Sequence, residues 1–209
     1  MQMTPEELER HGFLLQDTLT HQDLIPFVRL YLNKRTRSSI FYTAFNVAFV
    51  ALLVFWFWKS SNLPSFAFGE GLSHTSIGIA ITLALIPLHE YLHVLAYKWQ
   101  GATNTSYDAN FRKFYFMALA DKFVANRKEF QVIALAPFVV ISIGLLLAAA
   151  LSGPLWTFAW LGALLVHTAC CSGDFGLLSY FDFHKDKEVV TYDDKENGVP
   201  FFYGKSGQL

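Results

Sequence analysis

His89, Glu90 and His93 stand in the run LALIPLHEYLHVLAYKW at 83–99, a His-Glu-x-x-His pattern inside an otherwise apolar stretch. On a helix, side chains four apart lie on one face, so the two imidazoles can present nitrogens to a single metal ion. Glu90 falls about 100° around the helix from His89, near enough to bond a water on that ion without entering the coordination sphere. Zinc lowers the pKa of such a water towards ~7, and a carboxylate can then take its proton as the water attacks a carbonyl. A short motif alone carries a false-positive risk. The setting strengthens this one, because a charge at the centre of a membrane helix costs about 2.5–3.5 kcal/mol and ionisable residues there carry function by default.

A catalytic zinc takes three protein ligands and keeps one position open. The run HTACCSGDFGLLSYF at 167–181 offers Asp174, flanked by Gly173 and Gly176, whose missing side chains let another helix approach. Asp108, Asp121 and Glu129, and Glu188 or Glu196 nearer the C-terminus, are rival third ligands. His167 lies seven residues before Asp174 on the same face, about 10 Å deeper. It reads either as a second group around the metal and the reacting carbonyl, or as a histidine bonded to a neighbouring helix. Pro87 removes a helix hydrogen bond two residues before His89 and is expected to kink the span, which would admit water; proline is also simply tolerated in membrane helices.

These residues must be positioned by membrane helices. Hydrophobic residues make up 53% of the 209 and charged residues only 16%, an apolar balance for one soluble domain. Runs of about 20 apolar residues, enough to cross ~30 Å of hydrocarbon, give an all-α membrane protein with four spans near 38–58, 77–98, 131–151 and 155–180. The SGP turn at 152–154 forces the last two into an antiparallel hairpin. Cytoplasmic flanks collect Lys and Arg, and an N-in, C-in topology places all of the 16 except Lys59 on the inner side. His93 is then about 7.5 Å and His89 about 13.5 Å from Lys98 along the helix, and Asp174 about 9 Å from Tyr180. Both halves of the site share one depth, on runs that descend in the same direction.

Outside the spans, the order expected is a cytoplasmic segment over 1–37, a transmembrane domain over 38–183 and a cytoplasmic tail over 184–209. Thr4, Pro5 and Glu7 make a capping-box helix start. Residues 100–130 form the long inner loop, where Tyr115, Met117 and Leu119 against Arg112 and Lys113 suit a hairpin lying at the membrane face. Cys170 and Cys171 are adjacent and form no disulfide framework. A net charge of −1 gives no argument for a nucleic-acid partner.

HEYLH at 89–93, ANRKEFQVIALAPFVVIS at 125–142 and SGDFGLLSYF at 172–181 together resemble the zincin peptidase family of small bacterial multi-pass membrane proteins. That family is similar in turn to the site-2 proteases, intramembrane zinc metalloproteases that hydrolyse peptide bonds near the cytoplasmic face. The resemblance covers roughly residues 75–185. It implies one zinc per chain held by His89, His93 and Asp174, Glu90 as general base, a peptide or membrane-protein substrate, and residence in the bacterial inner membrane. It also implies a substrate-guiding β-hairpin at 103–118, with a turn at Asp108-Ala109-Asn110. Where site-2 proteases carry Asn-Pro-Asp-Gly, this chain has Cys171-Ser172-Gly173-Asp174-Phe175, and a Gly-Pro motif followed by Asn is replaced by Ala136-Pro137 with Val140. The resemblance therefore assigns ligands but no oxyanion-stabilising residue. Two other readings stand beside it: a non-proteolytic zinc-binding membrane protein, and a metal-free structural subunit.

Overall fold

Thr4 opens the chain's first helix as its residue types predict: Pro5 takes the first helical position, and the Thr4 N–H donates to Glu7 Oε2 at 3.0 Å. The computed structural model describes residues 3–20, 23–110, 115–196 and 199–206. Helix α1 (Pro5–Leu8) is short because a 3-10 turn at Glu9–His11 follows, ended by Gly12 in the left-handed region at φ 82°. Strand β1 (Leu14–Thr18) and helix α2 (Leu24–Leu32) complete the N-terminal segment.

Among the described residues, three helices are long and apolar enough to cross a membrane: α3 (Arg37–Ser61), α4 (Phe68–Trp99) and α5 (Arg127–Leu151). A fourth crossing is available as a bent pair, α6 (Pro154–Cys170) and α7 (Ser172–Phe183), which meet at 43°. The expected single span at 155–180 is thus two helices, broken at Cys171. Gly153 and Pro154 start α6 as the SGP turn requires, and Thr157 Oγ1 and Trp160 Nε1 bond back to Ala149 O and Ser152 Oγ, closing the α5–α6 hairpin. None of the most hydropathic window of α3 is buried within the protein, and Phe41, Val47 and Val54 are exposed on it. An apolar surface of that extent marks contact with lipid or another apolar partner. α4 runs unbroken through Pro87.

The chain is mostly helical, but it adds a sheet that the spans do not announce. β1, β4 (Ala125–Asn126), β5 (Lys187–Asp194) and β6 (Val199–Ser206) form an antiparallel sheet in the order β1-β6-β5-β4. The segment at 184–209 is therefore no loose tail over its described residues. A separate hairpin pairs β2 (Thr105–Asn110) with β3 (Tyr115–Ala120). It lies where a hairpin was expected, yet residues 108–110 continue β2 rather than turning, and Arg112 and Lys113 fall outside the described residues.

Two compact units emerge, one of Met1–Ser39, Glu90–Ala136 and Gly173–Leu209, the other of Ile40–His89 and Pro137–Ser172. In the first, the sheet packs Val189 and Phe202 against Phe27, Tyr31, Ile133, Tyr180 and Phe181 in one buried cluster. Thr36 Oγ1 bonds Ser179 Oγ at 2.9 Å, and Asp182 pairs with Arg127 and accepts from Ser38. In the second, α4 and α6 meet backbone to backbone. Gly78 stands against Ala159 and Ala163, Gly162 against Thr75, and Thr82 Oγ1 donates to Ala163 O at 3.0 Å. Contact positions rise together along both helices, so they run parallel.

Candidate metal centre

α4 carries the His-Glu-x-x-His residues in its last three turns, with His89 one turn ahead of His93 on the same unbroken helix. Neither histidine is left to rotate. In the first unit, His93 is buried and its Nδ1 lies 2.9 Å from Ile133 O, a distance at which the Nδ1–H donates to the carbonyl. With Nδ1–H so committed, Nε2 is the nitrogen left to meet a metal, the arrangement metal-ligating histidines use. The Nε2 faces Asp174 Oδ1 at 3.3 Å. Asp174 stands in the first turn of α7, where the break at Cys171 gives a helix N-terminus whose dipole favours a carboxylate.

The donor set suits zinc. A tetrahedral ion with bonds of about 2.0–2.1 Å to nitrogen and oxygen separates two of its ligand atoms by about 3.3 Å, and His93 Nε2 and Asp174 Oδ1 already stand at 3.3 Å. Asp174 is thus brought to the motif helix. Two of the rivals have their carboxylates engaged elsewhere. Glu129 Oε2 accepts from Asn126 N at 2.8 Å in a cap of α5, and Asp121 Oδ1 accepts from Lys195 N at 3.0 Å. The Asp108 side chain lies outside the described residues. Glu188 belongs to β5, in register with Lys205, and Glu196 donates its N–H to Asp194 Oδ1 at 2.9 Å.

Glu90 points to the hairpin. The Ala118 N–H of β3 donates to its Oε2 at 3.0 Å, so the backbone edge of β3 that faces away from β2 meets the carboxylate. On β2, partial burial first and the Glu90 charge second hold the Tyr107 phenol above its ordinary value. One turn beyond His93, Tyr97 lies in the buried cluster and its hydroxyl reaches Asp193 Oδ2 at 3.4 Å. Burial pushes the Asp193 carboxyl of β5 up to about 6, although Tyr97 and the Ala120 backbone pull the other way. The sheet therefore buttresses the far end of the motif helix.

In the second unit, His89 Nδ1 lies 3.2 Å from His167 Nε2. The helix that His167 faces is α4, at the first motif histidine. Sequence reasoning did not bring in the Ile133 carbonyl, the Ala118 N–H or Cys171. The first two are backbone atoms and leave no trace in residue types; Cys171, four residues after His167, was visible in HTACC.

A family model described as "Putative zincin peptidase" matches residues 82–187, which span the motif helix, the hairpin, α5 and the α6–α7 pair. No curated protein and no solved structure matched the chain.

Proposed function

From a chain that belongs to the zincin peptidase family, we propose a membrane-embedded zinc metallopeptidase of the site-2 protease type. His89, His93 and Asp174 hold one zinc, and Glu90 is the general base. The observation that carries this is the His93 pair: Nδ1 committed to Ile133 O, and Nε2 at ligand-to-ligand distance from Asp174. His89 joins it by the one-turn spacing of a single helix. Its ring is turned by His167, which acts as a positioning residue.

Bound there, zinc would supply Lewis acidity to a scissile carbonyl and acidify a water beside it. Glu90 takes the water's proton on its carboxylate and delivers it to the departing amine nitrogen. Asp174 would supply the carboxylate ligand beside His93, and Ile133 O keeps the imidazole from turning away. The hairpin presents the substrate. A peptide held extended needs its backbone groups paired, and strand addition along the outer edge of β3 satisfies them. The Ala118 N–H that bonds Glu90 belongs to that edge, so an added strand would lie against the base. The substrate class is a peptide segment of a membrane-associated protein, cut near the cytoplasmic face of the bacterial inner membrane, with both chain termini on that side.

The test compares membrane proteomes of cells expressing wild type with those expressing Glu90→Gln. A protein that accumulates uncleaved in the mutant is the expected result and names the substrate. Identical profiles would favour the non-proteolytic zinc-binding reading.

A further inference from the structure

The hydrolytic site uses one nitrogen of His89 and leaves the other facing a second group of ligand-type atoms within the second unit. His167 and Cys171 are four residues apart at the end of α6, so they face one way. His167 Nε2 lies 3.2 Å from His89 Nδ1 and 3.9 Å from Cys171 Sγ, and the three ligand atoms all lie within 4.8 Å of one another. His167 and Cys171 are buried. Tetrahedral zinc, with bonds of about 2.05 Å to nitrogen and 2.3 Å to sulfur, sets N···N at about 3.3 Å and N···S at about 3.6 Å. The observed separations straddle those edges. The frame around them is stiff, because Gly78 and Gly162 bring α4 and α6 into backbone contact.

We propose that His89 Nδ1, His167 Nε2 and Cys171 Sγ form a second transition-metal site, for thiophilic divalent ions such as Zn²⁺ in excess, whose filling inhibits the enzyme. Two neutral imidazoles and a thiolate are a donor set that suits zinc and its softer neighbours. Binding releases the Cys171 thiol proton to solvent and forms a metal–sulfur bond, with no change of oxidation state. Inhibition follows from His89. A neutral imidazole has one lone pair, and an ion on Nδ1 leaves the proton on Nε2, so His89 can no longer serve the hydrolytic zinc. That clause rests on the peptidase reading; the metal site itself does not.

Cobalt(II) is the probe, added to protein already holding one equivalent of zinc, in a Cys170→Ser background that removes the exposed neighbouring thiol. The chain then has one cysteine, so a thiolate-to-cobalt charge-transfer band reports Cys171 alone. The band should saturate at one cobalt per chain. Cobalt affinity should fall at least about tenfold in His167→Gln, the band should vanish in Cys171→Ser and Cys171→Ala, and it should persist in Glu90→Gln and, with cobalt added to metal-free protein, in Asp174→Ala. Cleavage should fall along the same titration curve, and Cys171→Ser should retain its cleavage throughout. Absence of the band while one zinc stays bound overturns the second site and leaves the peptidase reading intact. A band without cleavage in any sample upholds the metal site and removes the inhibition together with the peptidase reading.

Discussion

Gly78→Ala is the perturbation whose size can be worked most directly from the structure. A Cβ on Gly78 would stand 2.4 Å from Ala163 N and 2.5 Å from Ala159 O, both backbone atoms that cannot swing aside. Ordinary contact begins at 3.4 Å, so α4 and α6 must part by about 1 Å, which as overpacking costs about 1–3 kcal/mol. The same parting acts on His89 and His167, now 3.2 Å apart, and carries them beyond hydrogen-bond reach. A misplacement of about 1 Å at a reacting centre costs up to ~10²-fold in rate. The assay is cleavage of the substrate in proteoliposomes, with thermal unfolding in detergent read alongside. Gly144→Ala is the control, since nothing lies within 4 Å of its added Cβ and alanine is the better helix former by about 1 kcal/mol. The reasoning predicts lower stability and a cleavage rate reduced at least about tenfold for Gly78→Ala, with Gly144→Ala unchanged or more stable. Wild-type stability and rate in Gly78→Ala would refute it.

Asp193 sets a pH dependence. Its folded carboxyl sits at about 6 against an ordinary 3.8, so the folded state holds the proton more tightly than the unfolded state. The contribution of this group to stability is then full below about pH 4 and is lost, by about 3 kcal/mol, as pH rises through 6; Asp193→Asn should remove that component of the slope, and an unchanged pH profile of unfolding would contradict the assignment. Ala118→Pro removes the N–H that meets Glu90, at an outward-facing edge position where proline is tolerated. Cleavage should fall about tenfold, the worth of one hydrogen bond to a charged group, with zinc content unchanged; unaltered cleavage would count against the hairpin as the substrate edge. Tyr180→Phe deletes the 2.7 Å bond from the buried Tyr180 to Asp17 Oδ2. Chemical denaturation should show a loss of about 1.5–3 kcal/mol without loss of zinc, and a loss of zinc instead would show that the sheet core and the site are coupled.

The motif helix was legible because its signal is local: four-residue spacing and an apolar run define both the span and the face. Asp174 was legible through scarcity, as the one carboxylate in two apolar runs. The break at Cys171 was not, since CCSGD reads as one continuous apolar span to a hydropathy window. The terminal sheet was missed for a different reason. KEVVTYDD and VPFFYGKS are strand-like runs around a DKENG turn signal, but β1 and β6 lie far apart in sequence, and their pairing of Leu14 with Gly204 is a long-range contact that no local pattern encodes. Partners that are backbone atoms, Ile133 O and Ala118 N, were beyond any reading of residue types.

The central claim is the zinc held by the motif helix and α7, and metal content measures it directly. In a Cys171→Ser background, which lacks the second metal site, chain purified without added metal should hold one zinc per molecule, as should Glu90→Gln, and His93→Ala or Asp174→Ala should hold none. A wild type without stoichiometric zinc, or a full complement retained in Asp174→Ala, would contradict the site.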